Sequence, residues 1–532
     1  MRQFPMAGLA LVVVLAVVVG TPTGTGSAAP GGVTLAVGLD QEPPTLDPHA
    51  SPSAVTYQIV ADVSESLLYE GRDGRLVPWV ASGYKVSADG KTFMFTLQER
   101  ATFSDGAPLN AEAVKWNFDR IVNPSYKAGI SLTALTGYAR TTVVDDRTVR
   151  IDFKEPYAPF LTYLAGGWLA LLSPKTTATQ GDAVNTKPVG SGPFVVSEYA
   201  PKDHITLARN PQYSRRAPWG DHQGPPYLER IVWRIIPEPA TRVTTVLTGE
   251  TQMINFQSVP AGLLPRLAED KNLRVERTPY PGVPRTWLLN VRLPPTNDLK
   301  VRQALAYGIN RAAFVESVYR GLGTVACAPL TLQTLPDQSL CRRYPYDPKK
   351  AAQLLDEAGW AMGPNNVRQK DGKPLSLVIN SINYGGGNLP EIELLQGQLI
   401  GLGVDARIKS QARPPFYEDN AHCATNGPVL FLRDPDVNGL YALFHSANIG
   451  GNFNWSCYAN AEVDKLLADG RAQFDSGKRR ATYLRVEQIV LDQAIAVPLV
   501  DELAVWVVRN NVKGTKYNFS AYPVLSDVSI GK

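Results

Sequence analysis

The chain has 532 residues, of which 44% are hydrophobic and 19% are charged, with 42 prolines and 44 glycines. This length and composition describe a folded protein of several packed units and exclude a disordered or fibrous chain. The formal net charge is only +4 and no long run of one sign occurs, so we expect no nucleic-acid partner.

The N-terminus has the pattern of a secretory signal peptide. Arg2 precedes the apolar run MAGLALVVVLAVVVG (6–20), and small residues follow up to Ala29. The run is short for a bilayer span, which disfavours an uncleaved membrane anchor. No cysteine for lipid attachment lies in or just after it. We therefore expect residues 1–29 to be a cleaved signal peptide and the mature protein to be periplasmic or extracellular.

Predicted strands and helices alternate along the rest of the chain. Runs rich in β-branched and aromatic residues predict strands at 34–39, 91–97, 147–153 and 230–237. Apolar stripes of helical period predict helices in NAEAVKWNFDRIV (110–122), LKVRQALAYGIN (299–310) and DPKKAAQLLDEAGW (347–360), and over 461–495 with a break at FDSGKRR. This interleaving predicts an α/β fold. On these helices Arg302 and Arg311 are expected to pair with neighbouring acids.

The four cysteines fit an exported protein. We expect the most local of the three possible pairings, Cys327 with Cys341 and Cys423 with Cys457, because disulfides form in oxidising compartments. A metal site at His422 is disfavoured because a two-residue cysteine spacing and a second nearby histidine are missing.

Sequence motifs for catalysis are missing. The chain contains no HExxH, no GxxxxGK and no GxSxG, and Ser191 in GSGPF (190–194) is better explained by a glycine-rich turn before a strand. We therefore expect no enzymatic activity and no cofactor. An exported hydrolase with two acids far apart in sequence stays an alternative.

An ordered set of motifs resembles one family. It begins with PPTLDPH (43–49), continues through 67–121 and VGSGPFVVSEYAPKDHITLARNPQYS (189–214), and resumes in 297–324, 346–360 and 458–499. In this order the motifs resemble the extracytoplasmic solute-binding proteins of ABC importers, in the class of oligopeptide- and dipeptide-binding proteins. The resemblance covers nearly all of the mature chain.

The resemblance implies a periplasmic-binding-protein-like fold (type II, cluster C), in which two lobes close over a solute. It places one lobe at 30–67, 188–290 and 499–532, an extra domain on that lobe at 68–187, and the opposing lobe at 291–498. It also implies a monomer that captures a peptide or other small organic solute and delivers it to an ABC permease. A sensory receptor on the same scaffold is a further alternative.

The predicted binding residues begin where a buried strand ends, in VLFLRDPD (429–436). In peptide-binding relatives an Asp a few residues before the corresponding Pro takes the ligand's amino group, and that position here is Phe431. Either Asp434 or Asp436 is the acid if the alignment slips by a residue or two. Arg433 either clamps a ligand carboxylate or phosphate, or pairs with Asp434.

Aromatic and amide side chains complete the predicted site. Trp168 and Trp455 lie near glycine or turn residues rather than inside apolar runs, which suits stacking on a sugar or a planar solute, although each also suits a core position. Tyr57 and Asn383 are candidates because they lie near the ends of predicted elements.

Overall fold

Strands and helices alternate in the computed structural model, which describes residues 33–51, 53–221, 223–255, 259, 261–382, 389–451 and 453–531. The strands are β1 (Thr34–Leu39), β2 (Leu68–Glu70), β3 (Leu76–Pro78), β4 (Ala81–Val86), β5 (Thr92–Leu97), β6 (Tyr138–Val143), β7 (Thr148–Phe153), β8 (Phe194–Ala200), β9 (His204–Arg209), β10 (Arg230–Ile235), β11 (Met253–Asn255), β12 (Leu273–Pro279), β13 (Val283–Leu288), β14 (Gly323–Val325), β15 (Ala361–Met362), β16 (Arg368–Lys370), β17 (Lys373–Pro374), β18 (Ser376–Ile382), β19 (Asp405–Gln411), β20 (Val429–Leu432), β21 (Ala496–Arg509), β22 (Val512–Lys513), β23 (Lys516–Tyr517), β24 (Pro523–Val524) and β25 (Ser529–Ile530).

The helices are α1 (Ala54–Val60), α2 (Ala111–Val122), α3 (Ile130–Ala134), α4 (Pro159–Ala165), α5 (Pro174–Gln180), α6 (Pro239–Thr248), α7 (Leu264–Glu269), α8 (Leu299–Gly308), α9 (Arg311–Ala313), α10 (Pro348–Glu357), α11 (Pro390–Gly401), α12 (Arg413–Ala421), α13 (Gly439–Phe444), α14 (Ala461–Ala472) and α15 (Ser476–Asp492). Shorter 3-10 turns occupy Gly181–Asn185, Ala261–Leu263, Pro364–Asn366 and Ser446–Asn448, and a π turn occupies Phe314–Val318.

The largest sheet has the strand order β20-β13-β21-β11-β1-β10-β9-β8, with β12 and β14 also paired to β21. Strand β1 runs parallel to both of its neighbours, β10 and β11. Its side chains Leu35, Val37 and Leu39 are fully buried. This burial explains the apolar run TLAVGL, because a parallel strand inside a sheet is covered on its faces.

Strand β21 lies between β13 and β11 and joins the two parts of this sheet. Its first residues pair with β13, where Leu288 faces Ala496 and Arg285 faces Val500. Its last residues pair with β12 and β11, where Leu273 faces Arg509. One continuous strand therefore carries hydrogen bonds to distant chain segments on both of its edges.

A second sheet has the order β4-β5-β7-β6 and packs against α2 and α4. Its core contains Phe93, Phe95, Phe118, Ile151 and Phe160, each at most 1% exposed. As the sequence predicts, Asn110 caps α2, since its side chain accepts a hydrogen bond from the Ala113 amide.

The segment after β13 forms two further hydrophobic cores. One lies around the parallel pair β18–β19 with α8, α10 and α11. The other lies around α13, α14 and α15. The predicted break at FDSGKRR is confirmed, because α14 ends at Ala472 and α15 begins at Ser476 after the capping residue Asp475.

The predicted disulfides are confirmed, with Cys327 bonded to Cys341 and Cys423 to Cys457. Ser191 lies in a buried turn before β8, as predicted, and its hydroxyl donates to Glu65 Oε2 at 2.7 Å. Within the described part of the chain, no helix is both long and apolar enough to span a membrane.

The predicted acid partners of Arg302 and Arg311 are wrong. The Arg302 guanidinium donates to the backbone carbonyls of Thr296, Asn297 and Gln493. The Arg311 guanidinium donates to the carbonyls of Ala326, Arg343 and Tyr344. Both arginines therefore tie loops to helices.

Candidate functional site

Strand β20 and the turn that follows it carry four of the predicted binding residues. Phe431 and Leu432 end the strand, and Arg433 to Asn438 lead into α13. Asp434 Oδ1 accepts from the Asp436 amide at 2.9 Å, and Asp436 Oδ1 accepts from the Asn438 amide at 2.7 Å. These side-chain-to-backbone bonds fix the turn, as Asp commonly does.

Arg433 pairs with Glu502 of β21, not with Asp434. Its Nη2 donates to Glu502 Oε2 at 2.5 Å, and Arg285 Nε of β13 donates to Glu502 Oε1 at 3.0 Å. Burial alone would raise the pKa of Glu502, but the two guanidinium groups outweigh it and hold that pKa below its usual value. Glu502 is therefore a charged bridge between two arginines.

Both guanidinium groups lie close to the Phe431 ring. The Arg285 guanidinium carbon is 4.0 Å from the Phe431 ring centroid and that of Arg433 is 4.9 Å from it. The Arg433 guanidinium also lies over the Tyr280 ring at 3.5 Å. Both arginines beside Phe431 are paired with carboxylates, because each contacts Glu502 and Arg285 Nη1 also lies 3.6 Å from Glu391 Oε1.

A cavity of about 190 Å³ lies beside Phe431. Its walls include Phe416, Tyr417, Phe453 and Trp455, whose rings contact one another with centroids 5.2 to 6.3 Å apart. Its polar lining includes Ser381, Arg285, Glu391 and Arg413. The Ser381 hydroxyl is buried without a hydrogen-bond partner among the described residues. Phe431 and Trp455, both predicted binding residues, therefore line one cavity.

Asp434 and Asp436 differ in how their charges are compensated. Asp436 forms a two-pronged ion pair with Arg479 of α15, at 2.9 Å from Nη1 and 2.5 Å from Nη2. Asp434 accepts from the Tyr163 hydroxyl at 3.3 Å and has no ion pair within the described part of the chain. Burial, and then the Asp436 carboxylate, raise the pKa of Asp434 to about 7.

A chain of contacts leads from Asp434 to Tyr163, from Tyr163 to Trp168, and from Trp168 to Tyr57. The Tyr163 and Trp168 rings stack at 5.2 Å, and the Tyr57 and Trp168 centroids are 6.4 Å apart. The Tyr57 hydroxyl donates its hydrogen bond to the Ser51 carbonyl at 2.7 Å, so it does not donate to a ligand. These two rings form a different group from the Phe431–Trp455 cavity. Asn383 lies outside the described residues.

The sequence patterns did not indicate Arg285, Glu502 or Tyr163 as site residues. A signal for the first two was available, because VPRTWLL and VPLVDELAVW each place a charge inside an apolar strand. Charges in such places need a partner. Tyr163 gave no such signal, since a tyrosine on a helix is usually a core residue.

Comparisons with known proteins agree with this architecture. The model of the family described as bacterial extracellular solute-binding proteins, family 5 Middle, matches residues 75–451. The glutathione-binding protein GsiB of Salmonella typhimurium is 30% identical over 480 residues, which cover 88% of this chain and 89% of GsiB.

Solved structures share the fold. NikA of Brucella suis, in complex with Fe(III)-EDTA, matches with a TM-score of 0.83 at 24% identity over 93% of this chain and 99% of NikA. A dipeptide-binding protein from Pseudoalteromonas sp. SM9913, in complex with Met-Leu, matches with a TM-score of 0.75 at 23% identity over 93% of this chain and all of that protein. These matches confirm the predicted two-lobed α/β fold. This chain belongs to the family 5 bacterial extracellular solute-binding proteins, the solute-capturing components of ABC importers.

Proposed function

We propose that this protein captures a small organic solute carrying a carboxylate and a planar or apolar group, and presents it to an ABC permease. The observation that carries the proposal is the Phe431 position, to which the resemblance assigns the acid of peptide-binding relatives and where this chain has a ring beside two arginines. An ammonium group is disfavoured there because Glu502 and Glu391, the neighbouring carboxylates in the described part of the chain, are already paired with arginines.

Arg433 is the residue that we propose to bind the carboxylate. Only its Nη2 has a hydrogen-bond partner in the described part of the chain, so Nε and Nη1 keep donors for a ligand. A planar guanidinium binds a carboxylate through two parallel hydrogen bonds. Its surroundings support a position in the cleft, because the Tyr280 and Tyr522 rings, from segments that the resemblance assigns to the opposite lobe, lie close to it.

The cavity beside Phe431 suits a single ring. An apolar cavity of about 150 Å³ admits benzene, and this one measures about 190 Å³ with four aromatic walls. Glutathione, Fe(III)-EDTA and Met-Leu, the compounds named for the three relatives, all carry carboxylates. A solute of this class needs only about 8 kcal/mol for micromolar affinity.

The first test is native mass spectrometry of the freshly exported protein, since closed binding proteins can retain their solute. We expect one dominant small carboxylate compound. A heterogeneous set of peptides with free N-termini would contradict the proposal.

The second test changes the proposed carboxylate ligand. Arg433→Lys keeps a cation beside Glu502 but loses the planar pair of donors. Because a hydrogen bond to a charged group contributes about 1.5–3 kcal/mol, we expect the recovered solute to bind roughly 10- to 100-fold more weakly by calorimetry. Arg407→Lys, on a side chain that is 73% exposed, is the matched control and should leave affinity unchanged. Equal affinity in Arg433→Lys would remove Arg433 from the site.

We further propose that the exported protein has lost its signal peptide, acts as a monomer without a nucleic-acid partner, and releases its solute chemically unchanged. The family to which it belongs captures solutes, and this supports a role without catalysis. Incubation with the recovered solute should return the same mass. Conversion that a single Asp or Glu substitution abolishes would favour the hydrolase alternative.

A further inference from the structure

Three buried carboxylates, Glu70, Asp434 and Asp436, form a single ion pair among them within the described part of the chain, where two parts of the chain meet. Glu70 ends β2, and Asp434 and Asp436 follow β20. Asp436 pairs with Arg479, whereas Asp434 has only the neutral Tyr163 hydroxyl beside its backbone bond. The Glu70 side chain, in a residue 7% exposed, forms no hydrogen bond or ion pair within the described residues. One carboxylate is compensated and two are not.

The carboxylates lie at a contact between two separate hydrophobic cores. Tyr163 belongs to the core under the β4-β5-β7-β6 sheet, while Asp434 and Asn438 adjoin the core around α13 and α15. Asn438 Nδ2 donates to the Tyr163 hydroxyl at 3.2 Å. Pro435 packs against Gly166, where an added Cβ would lie 3.8 Å from the proline ring. Opening the cleft would move Asp434, Pro435 and Asn438 away from Tyr163 and Gly166.

Charged and titratable groups on two sides interact with these carboxylates: Tyr157 and Tyr163 before and on α4, and Arg479 and Tyr483 on α15. Arg471 on α14 lies next to Tyr157. Burial raises the pKa of Glu70 well above its usual value, and Asp436 and Asp434 add to the rise. The two arginines do not cancel this effect, because Arg479 is engaged by Asp436 and Arg471 lies over the Tyr157 and Tyr441 rings.

We propose that closure of the two lobes takes up a proton from solvent, which is held by the Glu70–Asp434 pair. In the open form each carboxylate is hydrated and ionised at neutral pH. In the closed form both are buried without an ion-pair partner of their own in the described part of the chain, so one of the pair is protonated. Low pH therefore favours the closed form whichever solute is bound. This inference rests on lobe closure and not on the proposed solute class.

The direction of the pH effect on the closed-to-open ratio follows from proton linkage. A carboxyl whose pKa is higher in the closed form binds more protons there, so the closed-to-open ratio falls as pH rises between the two pKa values and is constant outside them. For one proton the ratio changes by up to about tenfold per pH unit. With the pKa of Asp434 near 7 when closed, the change spans acidic to neutral pH.

Single-molecule energy transfer in the solute-free protein tests the proposal. Val144→Cys and Ile400→Cys place two dyes at positions 52% and 55% exposed, directly after β6 of the second sheet and on α11. The four native cysteines are paired, so only the introduced thiols react. We expect the closed-to-open ratio to rise at least tenfold from pH 8 to pH 5.

Glu70→Gln in this labelled protein should raise the ratio at pH 8 and flatten its pH dependence. Glu112→Gln, an exposed helix-surface glutamate, is the matched control and should behave like the parent. If Glu70→Gln does not fold, Asp434→Asn makes the same test. A ratio that is independent of pH in the parent, or full pH dependence in both the Glu70→Gln and Asp434→Asn variants, would overturn the proposal.

Discussion

At the scale of single residues, most buried charges of this protein have partners that sequence reasoning could not identify. Arg302 and Arg311 bind backbone carbonyls, and Arg433 binds Glu502, which is 69 residues away in sequence. A sequence shows that a charge in an apolar run needs compensation. It does not show which of many distant groups supplies it, because that depends on how elements pack.

The ion pair between Asp436 and Arg479 should contribute measurably to the free energy of unfolding. Both side chains are at most 15% exposed. Arg479→Met leaves Asp436 as an uncompensated buried carboxylate, so we expect a loss of about 3–5 kcal/mol in the free energy of unfolding. Urea denaturation measures it.

The matched control for that substitution is Arg485→Met on the same helix. Arg485 pairs with Glu462 at the surface, with both side chains at least 50% exposed. Such a pair contributes about 0–1 kcal/mol. Similar losses in the free energy of unfolding for the two variants would show that the buried Asp436 pair stabilises the protein no more than the surface pair does. Asp436→Asn added to Arg479→Met should recover part of the stability.

At the scale of elements, the sequence predicts helices and strands well because their periods are local. The helical period over 461–495 predicts α15, and its residues Tyr483, Val486 and Val490 are buried. Glu487 lies in the same stripe, where an acid is unexpected, and it is 1% exposed. Its Oε1 accepts from the Leu330 amide at 2.8 Å, inside the loop that the Cys327–Cys341 disulfide closes. The sequence does not predict this contact, because helical periodicity shows only that a residue faces the core and not which loop it meets.

Glu487 should make stability depend on pH. Burial raises its pKa to about 8 in the folded protein. The folded state therefore binds more protons than the unfolded state between the ordinary pKa of about 4.3 and this value, and stability falls as pH rises through that window. The slope is at most about 1.4 kcal/mol per pH unit.

Glu487→Gln tests this dependence, because the amide oxygen can still accept from Leu330 but does not titrate. We expect the variant to be more stable than the parent at pH 8.5 and to lose less stability between pH 5 and pH 8.5 in thermal melts. Glu462→Gln, a surface glutamate 56% exposed at its side chain, is the control. Parallel curves for parent and Glu487→Gln would contradict the assignment.

At the scale of the whole molecule, the α/β class follows from interleaved elements, and the family resemblance supplies the two lobes. The strand order does not follow from either local signal. Strand β21 lies between β13 and β11, although it is separated from them by more than two hundred residues of sequence. Nothing in a short window of AVPLVDELAVWVVR indicates that its two halves pair with different segments.

Because β21 is one of the two neighbours of β11 in the strand order, we expect β11 to become fully protected from hydrogen exchange only when β21 does. Pulse labelling during refolding, read by mass spectrometry of peptides containing residues 253–255 and 496–509, measures this order. A refolding species with β11 fully protected and β21 unprotected would contradict it.

The place of β21 has a consequence for biogenesis. A chain that leaves the ribosome or a membrane channel from its N-terminus offers residues 34–39 early and residues 496–509 almost last. Until that final stretch emerges, β13 and β11 lack the strand that lies between them in the largest sheet. The two parts of the sheet on either side of β21 therefore join only when almost all of the chain has emerged.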